Sequence, residues 1–118
     1  KRINDEHGHL AGDAVLRDFG TLAASQAQRG EVIGRWGGEE FLALLPGADG
    51  ASAQAWANEL LARVRASRVP AGGASVGYRV SLGMAQALAG DDMDTLVARA
   101  DRALYQAKAA GRDRAVMG

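Results

Sequence analysis

Apolar residues recur three and four positions apart over the first long stretch of the chain. Val15, Leu16, Phe19, Leu22 and Ala23 fall on one stripe, which predicts an amphipathic helix from Gly12 to about Gln28. Asp13 then stands in its first turn or at its cap, where a carboxylate is favoured. Gly30 ends the helix, and two strand-like runs follow, Val32-Ile33 and Phe41–Leu45, separated by Gly37-Gly38. Paired glycines between such runs predict a tight hairpin, because a two-residue turn needs positive φ. Pro46-Gly47 and Asp49-Gly50 make a loop. A second helix is predicted over 51–66, with Trp56, Leu60, Leu61 and Val64 inward, and it stops at Val69-Pro70. The segment 71–77 reads as a Gly-rich loop, and 79–85 as a strand. A third helix covers 94–109, burying Leu96, Val97, Ala100, Ala103, Leu104 and Ala107, and Gly111 stands just past it. Ala115-Val116-Met117 forms a last short strand. This order predicts an α/β or α+β fold, with helices covering a sheet.

Composition narrows the function more than the fold. The chain has 118 residues, enough for one domain with a single core. Fourteen basic residues balance 14 acidic ones, so no global field draws the chain to a nucleic acid polymer or an anionic membrane. Cysteine is absent, which excludes disulfides and thiolate metal sites. No apolar run approaches the ~20 residues that span a bilayer. Only Lys1 and Lys108 among the basic residues are lysine. Lysine is a compact, mobile charge and a common phosphate partner.

The chemistry concentrates in Arg35-Trp36-Gly37-Gly38-Glu39-Glu40-Phe41. Adjacent carboxylates repel, and a partly buried pair requires a cation. Hard oxygen donors suit Mg²⁺, with Mn²⁺ as its substitute. Bare backbone at Gly37 and Gly38 lets a phosphate approach N–H groups. The segment therefore reads as a metal-plus-phosphate corner on a hairpin, set against the plain alternative of a solvent-exposed turn. Lys108 and Arg112 are four apart at the end of the last helix and share one face. Their structural alternative is the complementing of the helix dipole.

Several separate motifs occur together. Lys1-Arg2-Ile3-Asn4-Asp5, Gly8-His9 and Gly12-Asp13 lead to Arg35-x-Gly37-Gly38-Glu39-Glu40-Phe41. Ser81-Leu82-Gly83, Ala100-Asp101-x-Ala103-Leu104-Tyr105-x-Ala107-Lys108 and Gly111-Arg112 complete the set. In this order and at roughly this spacing the chain resembles the GGDEF domain of diguanylate cyclases over nearly its whole length. The resemblance implies a mostly antiparallel sheet flanked by helices, similar to nucleotidyl cyclase and polymerase palm domains. It also implies condensation of two GTP into cyclic di-GMP, each 3′-hydroxyl attacking the partner's α-phosphate as pyrophosphate leaves. By the same resemblance, Glu39 holds metal and helps deprotonate the 3′-hydroxyl, Glu40 is a further metal ligand, and Lys1 stands near the phosphates. Asn4 and Asp13 read guanine: asparagine offers donor and acceptor, and a carboxylate accepts from N1–H and the amino group. His9 lies near the nucleotide, Gly37 and Gly38 carry the phosphates, and Lys108 and Arg112 clamp the triphosphate. Asp101 buttresses its surroundings. The implied partners are GTP, a second GGDEF domain in a catalytic homodimer, and an upstream sensor or receiver domain. The implied location is cytoplasmic, in a parent either free or membrane-anchored. The alternative within the family is a catalytically silent GTP-binding regulatory module, against which the retained Glu39 and Glu40 argue.

Two departures stand out. The family's Asp-x-Asp-x-Phe-Lys strand would end at Lys1, so the residues 1–118 read as a single, N-terminally incomplete domain of something longer. That strand carries another metal-binding Asp. The family's inhibitory Arg-x-x-Asp site aligns with Gln28 and Glu31, with Arg29 shifted by one. Gln28 cannot supply a bidentate cation, so the expectation is weak or absent product inhibition through this site.

Overall fold

The computed structural model describes residues 9–27, 31–37 and 40–118; at residues 9, 10, 32–37, 40 and 71 it describes the backbone alone. The elements run α1 (His9–Gln26), β1 (Val32–Gly37), β2 (Glu40–Leu44), α2 (Gly50–Ala66), β3 (Val69–Ala71), β4 (Ala74–Val76), β5 (Leu82–Met84), α3 (Met93–Ala109) and β6 (Ala115–Met117). Contacts divide the chain into two units, Lys1–Pro46 with Arg63–Tyr78, and Gly47–Ala62 with Arg79–Gly118.

The first unit holds α1 and two antiparallel hairpins. α1 begins one turn earlier than its apolar stripe predicts, so Asp13 is not in its first turn. Leu10 and Ala11 are good helix formers, Ala11 is buried, and burial outweighs the cost of Gly12 inside the helix. Phe19 and Ala23 supply its inward face. Phe19 meets Phe41 of β2 edge to face, with ring centroids 5.0 Å apart and planes at 67°.

β1 pairs with β2 from Val32↔Leu44 to Gly37↔Glu40, with a register shift between Arg35 and Gly37. Trp36 is the extra residue of that bulge, a device that sharpens twist and re-aims neighbouring side chains. Gly37 is thus a strand residue rather than half of the bend. A tight double-glycine turn does occur, but at Gly72-Gly73, in the segment expected to be a loop. Both glycines have positive φ (55° and 84°), as a type I′ turn requires, and β3 pairs with β4 in register Val69↔Val76. The strands are three residues each, too short for an alternating pattern to declare itself.

α1 is anchored by a part-buried polar knot. Asp18 Oδ2 accepts from Ser67 Oγ and from Tyr78 Oη, each at 2.7 Å. Burial and the Asp18 hydrogen bond push the Tyr78 hydroxyl far above the ordinary phenol range. Since the folded state holds that proton more tightly than the unfolded chain, its contribution is complete below pH 10 and fades as pH rises above it. Tyr78→Phe should cost about 1.5–3 kcal/mol, the range for a hydrogen bond to a charged group, and should flatten the alkaline limb of stability. Urea unfolding of the two proteins between pH 8 and 11 checks both.

In the second unit, β5 and β6 pair in parallel, Leu82↔Ala115 to Met84↔Met117. The predicted strand 79–85 contracts to these three residues. Asp92 caps α3 in a capping box with Thr95. Asp91 grips Arg99 through both oxygens, 2.6 and 2.9 Å, and Arg99 also donates to Gln86 O. That hydrogen bonding holds the Asp91 carboxyl down to about 2. α3 lies directly on β5, where Gly83 supplies the clearance: a Cβ there would strike Ala100 O and the backbone of Leu104. Ala103 and Ala107 are buried on this helix, while Leu96, Val97, Ala100 and Leu104 are half-buried and Asp101 is exposed.

Candidate active site

Four residues of α1 build one wall. Asp13, Leu16, Arg17 and Gly20 fall at i, i+3, i+4 and i+7, a single helix face. With Phe41 of β2 they line an open concavity of about 500 Å³. Leu16 and Phe41 give apolar sides. Gly20 leaves the middle clear, and a Cβ there would stand 3.5 Å from the Phe41 ring. Asp13 and Arg17 are both exposed at this face. The Asp18 knot sits on the same helix and fixes how the face is presented.

The other predicted residues of this unit are placed by backbone. His9 opens α1, Gly37 closes β1, and Glu40 opens β2 opposite Gly37. Glu31 is half-buried just before β1. Lys1, Asn4, Gln28, Arg29, Gly38 and Glu39 lie outside the described residues. Among the described residues no group of three or more His, Cys, Asp or Glu side chains is placed to hold a metal ion.

In the second unit, Lys108 and Arg112 stand on either side of the C-terminal cap of α3. Lys108 is in the last turn of α3 and exposed. The helix closes in a Schellman motif: Gly111 N donates to Lys108 O at 3.3 Å, and Arg112 N to Ala107 O at 2.9 Å. Gly111 takes φ 120°, as the motif asks of a glycine. Arg112 follows at φ 64° and Asp113 at φ 50°, both non-glycine residues in the left-handed region. Backbone held there costs about 1–2 kcal/mol per residue and clusters at functional positions. Arg112 is exposed at this corner.

Leu16, Arg17 and Gly20 are not among the residues that the motifs single out, and Phe41 stands in the signature motif with no role assigned to its side chain. The signal for the three helical ones was the i, i+3, i+4, i+7 spacing from Asp13. Leu16 is hidden within ordinary apolar patterning, and Arg17 among an excess of arginines.

The family description "Diguanylate cyclase, GGDEF domain" matches residues 1–114. The chain is 40% identical over 114 residues to diguanylate cyclase DgcM of Escherichia coli (strain K12), covering 97% of this chain and 27% of that protein. It resembles the crystal structure of diguanylate cyclase SiaD in complex with its activator SiaC from Pseudomonas aeruginosa, with TM-score 0.94, 35% identity, and 99% of this chain and 45% of that one covered. It also resembles the GGDEF domain of DgcB from Caulobacter crescentus in complex with c-di-GMP, with TM-score 0.93, 28% identity, and 98% and 70% covered. This chain therefore spans little more than a quarter of the curated relative's length. Its helices and short strands have the α/β architecture of those domains, the nucleotidyl cyclase palm. No helix of the described residues is long and apolar enough to cross a membrane. The chain belongs to the GGDEF family of diguanylate cyclase domains.

Proposed function

We propose that residues 1–118 act as one domain that binds GTP and, facing a second copy, condenses two GTP into cyclic di-GMP with release of pyrophosphate. The observation that carries this reading is Asp13, an exposed carboxylate on the wall of a concavity with apolar sides, in a chain that keeps both signature acids. Leu16 and Phe41 are suited to the faces of a purine, and Asp13 accepts from guanine N1–H and the amino group, a donor pair that adenine lacks. Asn4 is the second reader of the base, with His9 beside the nucleotide. Backbone at Gly37 and Gly38 takes the phosphates, together with Lys1, Lys108 and Arg112. The carboxylates of Glu39 and Glu40 match the hard donors that Mg²⁺ requires. A divalent ion held by Glu39 and Glu40 would supply neutralisation of phosphate charge and orientation of the reacting oxygens. Glu39 takes the proton of the 3′-hydroxyl. One reaction needs two such domains, so a homodimer forms at least during turnover, imposed by sensor or receiver domains elsewhere in a cytoplasmic protein. Gln28 in place of an arginine leaves product inhibition through Glu31 weak.

Incubation of the intact protein with GTP and Mg²⁺, followed by nucleotide chromatography, tests the proposal. Cyclic di-GMP and pyrophosphate are the expected products. GTP bound but unconsumed would instead favour the silent regulatory module.

Arg112 allows stability and function to be separated. Glycine adopts φ 64° without strain. Arg112→Gly should therefore hold or raise stability, by up to about 1 kcal/mol, while raising KM for GTP through loss of a phosphate cation. Thermal melts and steady-state kinetics on the same samples report the two effects. Gly20→Ala should show a related trade: about 1 kcal/mol gained in helix propensity, with weaker GTP binding because a methyl group enters the concavity.

A further inference from the structure

We infer that Arg17 is a further specificity-determining residue for the base, beside Asp13 and Asn4, reading guanine O6 and N7; this rests on the proposal that the concavity takes guanine. Arg17 stands four residues after Asp13 on α1, about 6 Å further along the helix axis, and lines the same concavity. Both side chains are exposed, and neither has an ion-pair partner among the described residues. An aspartate and an arginine at i, i+4 would ordinarily pair with each other; here both are left available for a ligand.

The two chemistries fit adjoining edges of a single base. Guanine presents two donors, N1–H and the amino group, and next to them two acceptors, O6 and N7. Asp13 accepts from the donors. The planar guanidinium fork donates to the acceptors as a bidentate pair, the commonest specific arginine contact to guanine. Adenine carries an amino donor where guanine has O6, so Arg17 rejects it independently of Asp13. Lysine lacks the fork and supplies one such bond at a time. Apolar walls at Leu16 and Phe41 keep the base in the plane that both readers share.

The test measures binding of GTP, 7-deaza-GTP, ITP and ATP to the intact protein by titration calorimetry. 7-Deaza-GTP lacks the N7 acceptor, and ITP lacks the amino group. The expected result is that wild type binds GTP about tenfold more tightly than 7-deaza-GTP. Arg17→Ala should erase that preference while keeping the preference for GTP over ITP. Asp13→Ala should do the reverse, and Arg17→Lys should fall between wild type and Arg17→Ala. Alanine at this exposed helical position favours the fold, and circular dichroism verifies it. Equal affinity of wild type for GTP and 7-deaza-GTP, or a preference unchanged by Arg17→Ala, overturns the role of Arg17 alone. Failure of wild type to prefer GTP over both ITP and ATP overturns the guanine reading and this inference with it.

Discussion

Gly83→Val is expected to unfold the second unit, or to leave it marginally stable. Gly83 is the middle residue of β5, paired with Val116 of β6. α3 crosses it so closely that a Cβ would collide with Ala100 O and Leu104 N, and would lie 2.7 Å from Leu104 Cα. All three obstacles are backbone atoms of a helix interior. A flexible side chain could swing aside; a helix must move as a body, dragging Ala103 and Ala107 out of the core. Overpacking typically costs about 1–3 kcal/mol where side chains can yield. Without that relief the cost should reach about 3 kcal/mol or more, a large share of the roughly 5–15 kcal/mol that holds a domain together. Gly90 provides the comparison. It has φ 87°, and a methyl group added there would find nothing within 4 Å, so Gly90→Ala meets only backbone strain, about 1 kcal/mol. Denaturant midpoints for the two variants should separate clearly, with Gly83→Val the lower. Equal midpoints would mean that α3 does not press on β5 as described.

Glu39→Ala is expected to abolish turnover while leaving the fold intact. Glu39 and Glu40 are adjacent like charges, and without a cation they repel. Removing one therefore relieves repulsion in the free protein rather than opening a defect. In the reaction the same substitution removes a proposed metal ligand and the proposed base together. Metal stabilisation of transition-state charge in phosphoryl transfer is worth several kcal/mol, which corresponds to about a thousandfold or more in rate. The melting temperature without ligand should stay near wild type. The increase that GTP with Mg²⁺ brings to wild type should shrink in the variant, because ligand linkage follows affinity. Retained turnover would place the base and the metal elsewhere.

The long periodic segments were legible. α2 and α3 start within one residue of the positions predicted from apolar spacing, and Leu60, Leu61 and Val64 are buried as their stripe implied. β6 matches its predicted span. Features set by tertiary contact were not legible. β5 is three residues because only Leu82–Met84 find a partner in β6, and nothing in the local residues marks those limits. The β3–β4 hairpin escaped because its strands are too short for periodicity, although its Gly72-Gly73 pair carried the turn signal. At Gly37-Gly38 the dipeptide marked the β1–β2 hairpin but not its limits, since the register shift at Trp36 brings Gly37 into the strand. For the site, Asp13 was legible through its motif. Its neighbours Leu16, Arg17 and Gly20 needed the helix face to be turned toward Phe41, which only the packing of α1 on the hairpin supplies.

On the proposed function, guanine sits against α1 beside Asp13 while the triphosphate and its metal lie at the hairpin between β1 and β2. Crystals of the intact protein grown with a non-hydrolysable GTP analogue and Mg²⁺ test it most directly. Base density is predicted between Leu16 and Phe41, with the Asp13 carboxylate in hydrogen-bond range of N1 and the amino group, and phosphates at Gly37-Gly38. Nucleotide density at any other surface, or a concavity left empty at saturating analogue, would contradict it.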